Sequence, residues 1–227
     1  MAKKLYKLIA MGILYIVATP IGNLEDITLR ALKVLKEVDL IACEDTRRTR
    51  LLLSHYQVSK PLVSFHQHSR LQKIDYLISE ILKGKNIALV SDAGTPGIAD
   101  PGGVLIAKAI ANMIEIEPIP GPSALTAILS TADFPVDKFL FLGYLPKKKG
   151  RRKLLKLIAE ADYPLVIFES PHRIIKTLKE IQQIAGDRYI IIGRELTKKF
   201  QEVERGPISK LLFKIRPQGE FSLIIKP

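Results

Sequence analysis

The sequence predicts an α/β protein of two domains: an N-terminal, mostly parallel sheet flanked by helices, and a C-terminal mixed sheet with helices. Three observations carry this. Short apolar β-rich runs alternate with amphipathic stretches whose apolar residues lie three and four apart, the rhythm of a covered parallel sheet. That pattern breaks around Thr131–Lys138, after which strand-like runs dominate. Hydrophobic residues make up 47% of the 227-residue chain, enough for large packed cores.

In chain order, Ile13–Ala18 reads as a strand, Thr28–Glu37 as a helix, Leu40–Cys43 as a strand and Thr46–His55 as a helix. Strand Leu62–Phe65, helix Arg70–Lys83, strand Asn86–Ser91 and helix Val104–Asn112 follow, then strand Ile114–Pro118 and helix Ser123–Thr131. The domain break is placed at 134/135, dividing 1–134 from 135–227. Beyond it come strand Phe139–Leu142, a basic loop and helix, strand Leu165–Phe168 and helix His172–Ile184. The chain closes with strands Tyr189–Arg194, Phe200–Arg205 and Phe221–Lys226 and a short helix at Ile208–Phe213.

At the N-terminus, Lys3, Lys4 and Lys7 precede the apolar run Leu8–Ala18, as in a secretory signal. The run is too short to span a bilayer, and its second half is the first strand of the sheet, leading into a glycine turn. The strand reading places the protein in the cytoplasm. The single cysteine, Cys43, rules out an internal disulfide framework and suits a reducing compartment. A formal net charge of +12 favours a polyanionic partner such as nucleic acid.

The segment VSDAGTPGIADPGG, Val90–Gly103, is the densest signal. Four Gly and two Pro follow a buried-strand run. Gly permits left-handed backbone and close approach, and Pro stiffens it, so this is a shaped loop at the carboxyl end of a strand. Neither G-x-G-x-x-G after the first strand nor G-x-x-x-x-G-K-[ST] occurs, which disfavours ordinary dinucleotide and P-loop sites. The first strand ends instead in ATPIGNLEDIT, a stiffened tight turn. In CEDTRRT, Asp45 reads either as a helix cap or, with Glu44, as a carboxylate at a ligand cleft; Arg47 and Arg48 are solvated, or with Arg50 hold phosphates. His66 and His68 flank Gln67 with no third ligand at convincing spacing, so no metal is expected. PGPSA opens a helix that Ser123 can cap, and its glycine admits a ligand. Lys147–Lys156 holds seven cations in ten residues, either a solvated run or a phosphate track. FESPHR and RELTKKFQEVERG place Glu169 and Glu195 at strand ends, as ion-pair partners or site residues.

ATPIGNLEDIT, CEDTRRT, SDAGTPGIADPG, PGPSA, FLGYLP, FESPHR and RELTKKFQEVERG occur in order across most of the chain. Together they resemble the bacterial small-subunit (16S) ribosomal RNA 2′-O-ribose cytidine methyltransferases, in the tetrapyrrole methylase-like (class III) superfamily. The resemblance implies S-adenosylmethionine bound in a cleft between the two domains. It implies a homodimer acting on small-subunit ribosomal RNA or the assembled 30S subunit, at a cytidine ribose near the decoding centre. Carried over by position, cofactor contacts would come from Ala18, Thr19, Pro20, Asp92, Ala93, Gly94, Ile98, Ala99, Ser123 and Ala124, and from Leu142, Gly143, Tyr144, Glu169 and Ser170. RNA contacts fall to Arg47, Arg48, Lys147, Lys148, Lys149, Arg151 and Arg152. Catalytic candidates are Glu195, Lys198 and Arg194, beside Glu44 and Asp45. Two departures stand out: the chain stops after GEFSLIIKP where many members continue, and position 67 is Gln where a carboxylate is frequent. The first leads us to expect a different mode of ribosome docking. The alternatives are a precorrin-like tetrapyrrole methyltransferase on the same scaffold, or a non-catalytic RNA-binding assembly factor.

Overall fold

The structure is a computed structural model describing residues 11–65 and 71–227. Lys3, Lys4, Lys7, His66, Gln67 and His68 lie outside the described residues.

The chain divides into two compact units. One comprises the described residues up to Pro20 together with Leu24–Ser123; the other comprises Ile21–Asn23 and Ala124–Pro227.

The first unit holds β1 (Leu14–Val17), α1 (Leu29–Glu37), β2 (Leu40–Cys43), α2 (Thr46–His55), β3 (Leu62–Ser64), α3 (Leu71–Leu82), β4 (Ile87–Val90), α4 (Gly102–Ala111) and β5 (Ile116–Ile119). All its strands run parallel in the order β3-β2-β4-β1-β5. Strands β2 and β4 are buried at every position, which is why they read as unbroken apolar runs. Pro118, which cannot donate to a ladder, sits on edge strand β5. Side chains alternate between two cores. Ala31 and Leu35 of α1 and Leu53 of α2 pack on Val17, Ile41 and Val90. On the other face, Leu77 and Ile81 of α3 and Leu105 of α4 pack on Leu14, Ile16 and Leu89. Adjacent strands β1 and β4 thus send their following helices to opposite faces, which opens a crevice at their carboxyl ends.

The second unit contains α5 (Ala124–Leu129), β6 (Leu140–Tyr144), α6 (Arg151–Glu160), β7 (Leu165–Glu169), α7 (Ile174–Ala185), β8 (Tyr189–Arg194), β9 (Glu202–Pro207), α8 (Ile208–Leu211) and β10 (Phe221–Ile225). Its sheet order is β6-β7-β10-β8-β9; β6 pairs parallel to β7 and the other pairs are antiparallel. Helices α6 and α7 cover one face through Leu155, Ile158, Leu178 and Ile181. Helix α5 covers the other, with Ile128 and Leu129 in one cluster with Val166, Ile191 and Ile224. This packing draws α5 into the second unit, so the units divide at 123/124 rather than at the 134/135 read from the apolar pattern.

Candidate functional site

In the first unit, three loops converge at the carboxyl ends of β1 and β4. After β1, the Thr19 N–H donates to the Gly94 carbonyl and the Gly94 N–H returns to the Thr19 carbonyl, each at 3.0 Å. This two-bond bridge spans the crevice. The buried Thr19 hydroxyl adds a bond to the Ser91 carbonyl at 3.1 Å, and Ser91 Oγ donates to the Gly94 carbonyl at the same distance. Gly94 has φ +83°, a conformation that penalises any side chain. The third loop is tied in by Thr95 Oγ1, which donates to the Pro122 carbonyl at 3.3 Å. A Cβ at Gly121 would stand 3.1 Å from Ala18 Cβ, so the PGPS turn packs directly on the first. Ala93 and Ile98 are exposed beyond the bridge, and Ala99 takes φ +62°. Ser123 stands at the last residue of this unit, and Ala124 opens α5 in the other.

Strand β2 adds charge to the same edge. Asp92 Oδ1 accepts the Asp45 N–H at 3.0 Å, Glu44 Oε1 accepts the Asp92 N–H at 3.3 Å, and Arg48 lies 3.4 Å from Asp92 Oδ2. Burial pushes the Glu44 carboxyl above its ordinary pKa despite the bond from Asp92. Asp45 goes the other way: its hydrogen bonds from Arg47, side chain and backbone, hold it well below the usual carboxylate range. Asp45 caps α2 and pairs with the exposed Arg47, as the capping reading of CEDTRRT expects. A cavity of about 200 Å³ opens here, lined by Thr19, Pro20, Arg48 and Asp92 and by the apolar Leu51 and Leu52. The leucines were missed in the sequence, although LLL in α2 offers more apolar positions than its one buried residue there, Leu53, uses.

The second unit distributes its candidates differently. Leu142, Gly143 and Tyr144 lie on β6, where the register with β7 shifts between Phe141 and Gly143. The Tyr144 ring meets Phe168 edge-on at 5.7 Å. Glu169 is not available to a ligand, which corrects its assignment as a cofactor contact. Its side chain is fully buried: Oε1 accepts from Arg173 Nη2 at 2.6 Å and the Ser170 N–H at 2.8 Å, and Oε2 accepts from Thr177 Oγ1 at 2.7 Å. Arg151 is corrected likewise. Instead of meeting RNA it is buried, donating to Glu180 Oε2 through Nε and Nη2, to Thr177 Oγ1 at 2.8 Å and to the Pro146 carbonyl at 3.2 Å. The remaining expected cations, Lys147, Lys148, Lys149 and Arg152, are exposed.

Glu195 and Lys198 come together. Glu195 Oε1 accepts from Lys198 Nζ and from the Glu220 N–H, each at 2.9 Å, while Lys198 Nζ also reaches Glu220 Oε2 at 2.9 Å. Burial raises the Glu195 carboxyl, but these bonds outweigh it and leave the pKa lowered. Burial opposes the Lys198 charge, yet Glu195 and Glu220 raise its pKa. Glu195 and Thr197 hold φ of +51° and +64°, a strained turn fixed by this network. Arg194 turns away, pairing with Glu202 at 2.9 and 3.0 Å across β8 and β9. Among the described residues no cluster of three His, Cys, Asp or Glu could hold a metal ion.

Comparison with known proteins decides the family. The family model for tetrapyrrole (corrin/porphyrin) methylases matches residues 13–212. The ribosomal RNA small subunit methyltransferase I of Thermotoga maritima is 48% identical over 95% of this chain and 98% of its own length. The chain belongs to the small-subunit ribosomal RNA methyltransferase I family. The Mycoplasmopsis pulmonis member is 44% identical over 94% of this chain and 97% of its own; for the Escherichia coli O157:H7 member the figures are 46%, 96% and 78%. The family's fold recurs in uroporphyrin-III C-methyltransferase of Thermus thermophilus complexed with S-adenosylhomocysteine (TM-score 0.69, 16% identity, 95% of this chain and 97% of that one). A diphthine synthase superposes with TM-score 0.73 at 16% identity, over 95% and 90%. For this family member, no described helix is long and apolar enough to cross a membrane.

Proposed function

We propose that the chain transfers a methyl group from S-adenosylmethionine to the ribose 2′-oxygen of a cytidine in small-subunit ribosomal RNA, near the decoding centre. The observation carrying this is 48% identity to a ribosomal RNA small subunit methyltransferase I along nearly its whole length. The bridged loops fit such a cofactor: glycine backbone, apolar lining and the Asp92 carboxylate meet at one crevice. Ala18–Pro20, Asp92–Gly94, Ile98, Ala99 and Ser123 are the residues assigned to hold it. When bound, it supplies a methyl on a sulfonium, already an activated leaving group. The protein must therefore mainly orient the acceptor and manage its proton. Glu44, raised by burial, is a better proton acceptor than Asp45 or Glu195, which cations hold ionised. Within the second unit, Lys198, kept charged by Glu195 and Glu220, is the candidate cation for an RNA contact. A homodimer and a cytoplasmic location rest on the same family resemblance.

The test incubates the protein and labelled S-adenosylmethionine with small subunits lacking the modification, then maps the labelled nucleotide. Label on a ribose 2′-oxygen is expected. Label on a base, or transfer to a tetrapyrrole instead, overturns the reading. Asp92→Arg is expected to lower cofactor affinity at least tenfold by calorimetry, because it removes the acceptor of the Asp45 N–H and places a cation against Arg48. Unchanged affinity would remove Asp92 from the site.

A further inference from the structure

Helix α6 and the loop before it sort their cations in two directions. Arg151 falls in phase with Leu155 and Ile158 on the buried face. There it locks onto Glu180 and Thr177, and Thr177 in turn onto Glu169. Arg173 occupies the other Glu169 oxygen and donates to the Leu145 carbonyl at 2.7 Å. Glu169 and Glu180 are therefore both engaged by these two guanidiniums, while Glu160, the one carboxylate of α6 itself, is exposed. The same two guanidiniums hold the Leu145 and Pro146 carbonyls, so the root of the basic loop is fixed. Gly150, at φ +85°, completes the turn, and the Arg151 N–H donates to the Lys148 carbonyl at 3.2 Å.

Among the described residues, the outward cations form no ion pairs and outnumber the carboxylate on their face. Lys147, Lys148, Lys149, Arg152, Lys153 and Lys156 are all exposed, and among the described residues none of these side chains has an ion-pair or hydrogen-bond partner. At the angular step of an α-helix, Arg152, Lys153 and Lys156 fall within an arc of about 100° opposite the buried face, three cations to the single carboxylate Glu160 at its C-terminal end. A cationic surface fixed in advance loses little side-chain and loop freedom on binding beyond its own lysines. Neither the loop Lys147–Gly150 nor α6 contains an aromatic residue. The nearest exposed rings in sequence, Tyr144 and Tyr163, lie outside the loop and the helix. Stacking on unpaired bases, the usual grip on single strands, therefore has no ring within the cationic face to act through. Phosphate contacts remain, and these are indifferent to sequence.

We propose that the Lys147–Lys149 loop and the outer face of α6 form a docking surface for the phosphate backbone of double-helical RNA, separate from the nucleotide that is methylated. This rests on the ribosomal RNA reading for its partner, but its test does not require methyl transfer. Binding of the protein to an RNA hairpin and to an oligouridine of equal length is measured across a salt series. For Arg152→Ala/Lys153→Ala/Lys156→Ala, hairpin affinity should fall at least tenfold at moderate salt. The slope of log affinity against log salt should shrink by about 2–3, one increment of about 0.7–0.9 for each lost phosphate contact. Oligouridine binding should change less than threefold. Alanine favours helix, so helix content and unfolding should match the parent. The charge-matched control Lys33→Ala/Lys36→Ala/Lys210→Ala should leave the slope unchanged. An unaltered slope in the α6 variant, an equal loss for hairpin and oligouridine, or an equal loss in the control overturns the proposal. Absence of methyl transfer by the parent to small subunits would instead overturn the functional reading, and the two failures register in different assays.

Discussion

Glu169→Leu is expected to destabilise the second unit by about 3–5 kcal/mol, the typical cost of removing one partner of a buried ion pair. The carboxylate is fully buried and serves three donors: Arg173, the Ser170 N–H and Thr177. Leucine fills similar space but leaves the Arg173 guanidinium without its counter-charge, and frees the Thr177 hydroxyl that also receives a bond from Arg151. Damage should therefore spread to the loop root at Leu145 and Pro146. Denaturant unfolding followed by circular dichroism measures the loss. A change below about 1 kcal/mol, accompanied by a large drop in cofactor affinity, would return Glu169 to the ligand-binding role that its motif suggested.

That motif shows what the sequence could reveal and where it stopped. The strands of both sheets were legible because strands covered on both faces are continuous apolar runs, and β2 and β8 match their predicted limits residue for residue. The SDAGTPG loop was legible as a shaped surface because its glycines and prolines have few other uses. Its partner across the crevice was not, since the Thr19–Gly94 bridge joins backbone atoms and leaves no mark on composition. Charged residues misled where they pointed inward. Arg151 was counted with the basic run, yet its spacing of four and seven to Leu155 and Ile158 placed it on the apolar face of α6. Helical phase was the available signal, and charge density masked it. The pairing of Glu195 with Glu220 and Lys198 depended on a turn with left-handed backbone at two non-glycine residues, which no local propensity favours.

Gly94→Val is expected to separate ligand binding from folding most sharply. Gly94 is buried, holds φ +83° and both donates to and accepts from Thr19. Valine is the worst occupant of that backbone region, since its branched Cβ crowds the preceding carbonyl; relief requires rotating φ out of the bridge. The strain is local, about 1–3 kcal/mol, because the loop can relax outward while the β1–β4 ladder stays paired. Relaxation nevertheless moves Asp92 and Ala93, the residues assigned to the cofactor, so its affinity should fall at least a hundredfold by calorimetry. Gly103→Ala is the matched comparison. It lies on α4, lacks the left-handed backbone, and an added Cβ meets nothing within 4 Å. Alanine there should leave affinity intact and raise stability by up to about 1 kcal/mol, by restricting the unfolded chain. Unfolding of Gly94→Val in proportion to its loss of affinity would make the bridge a folding element alone; intact affinity would place the cofactor elsewhere. Only loss of affinity well beyond loss of stability is what a crevice held open by this bridge requires.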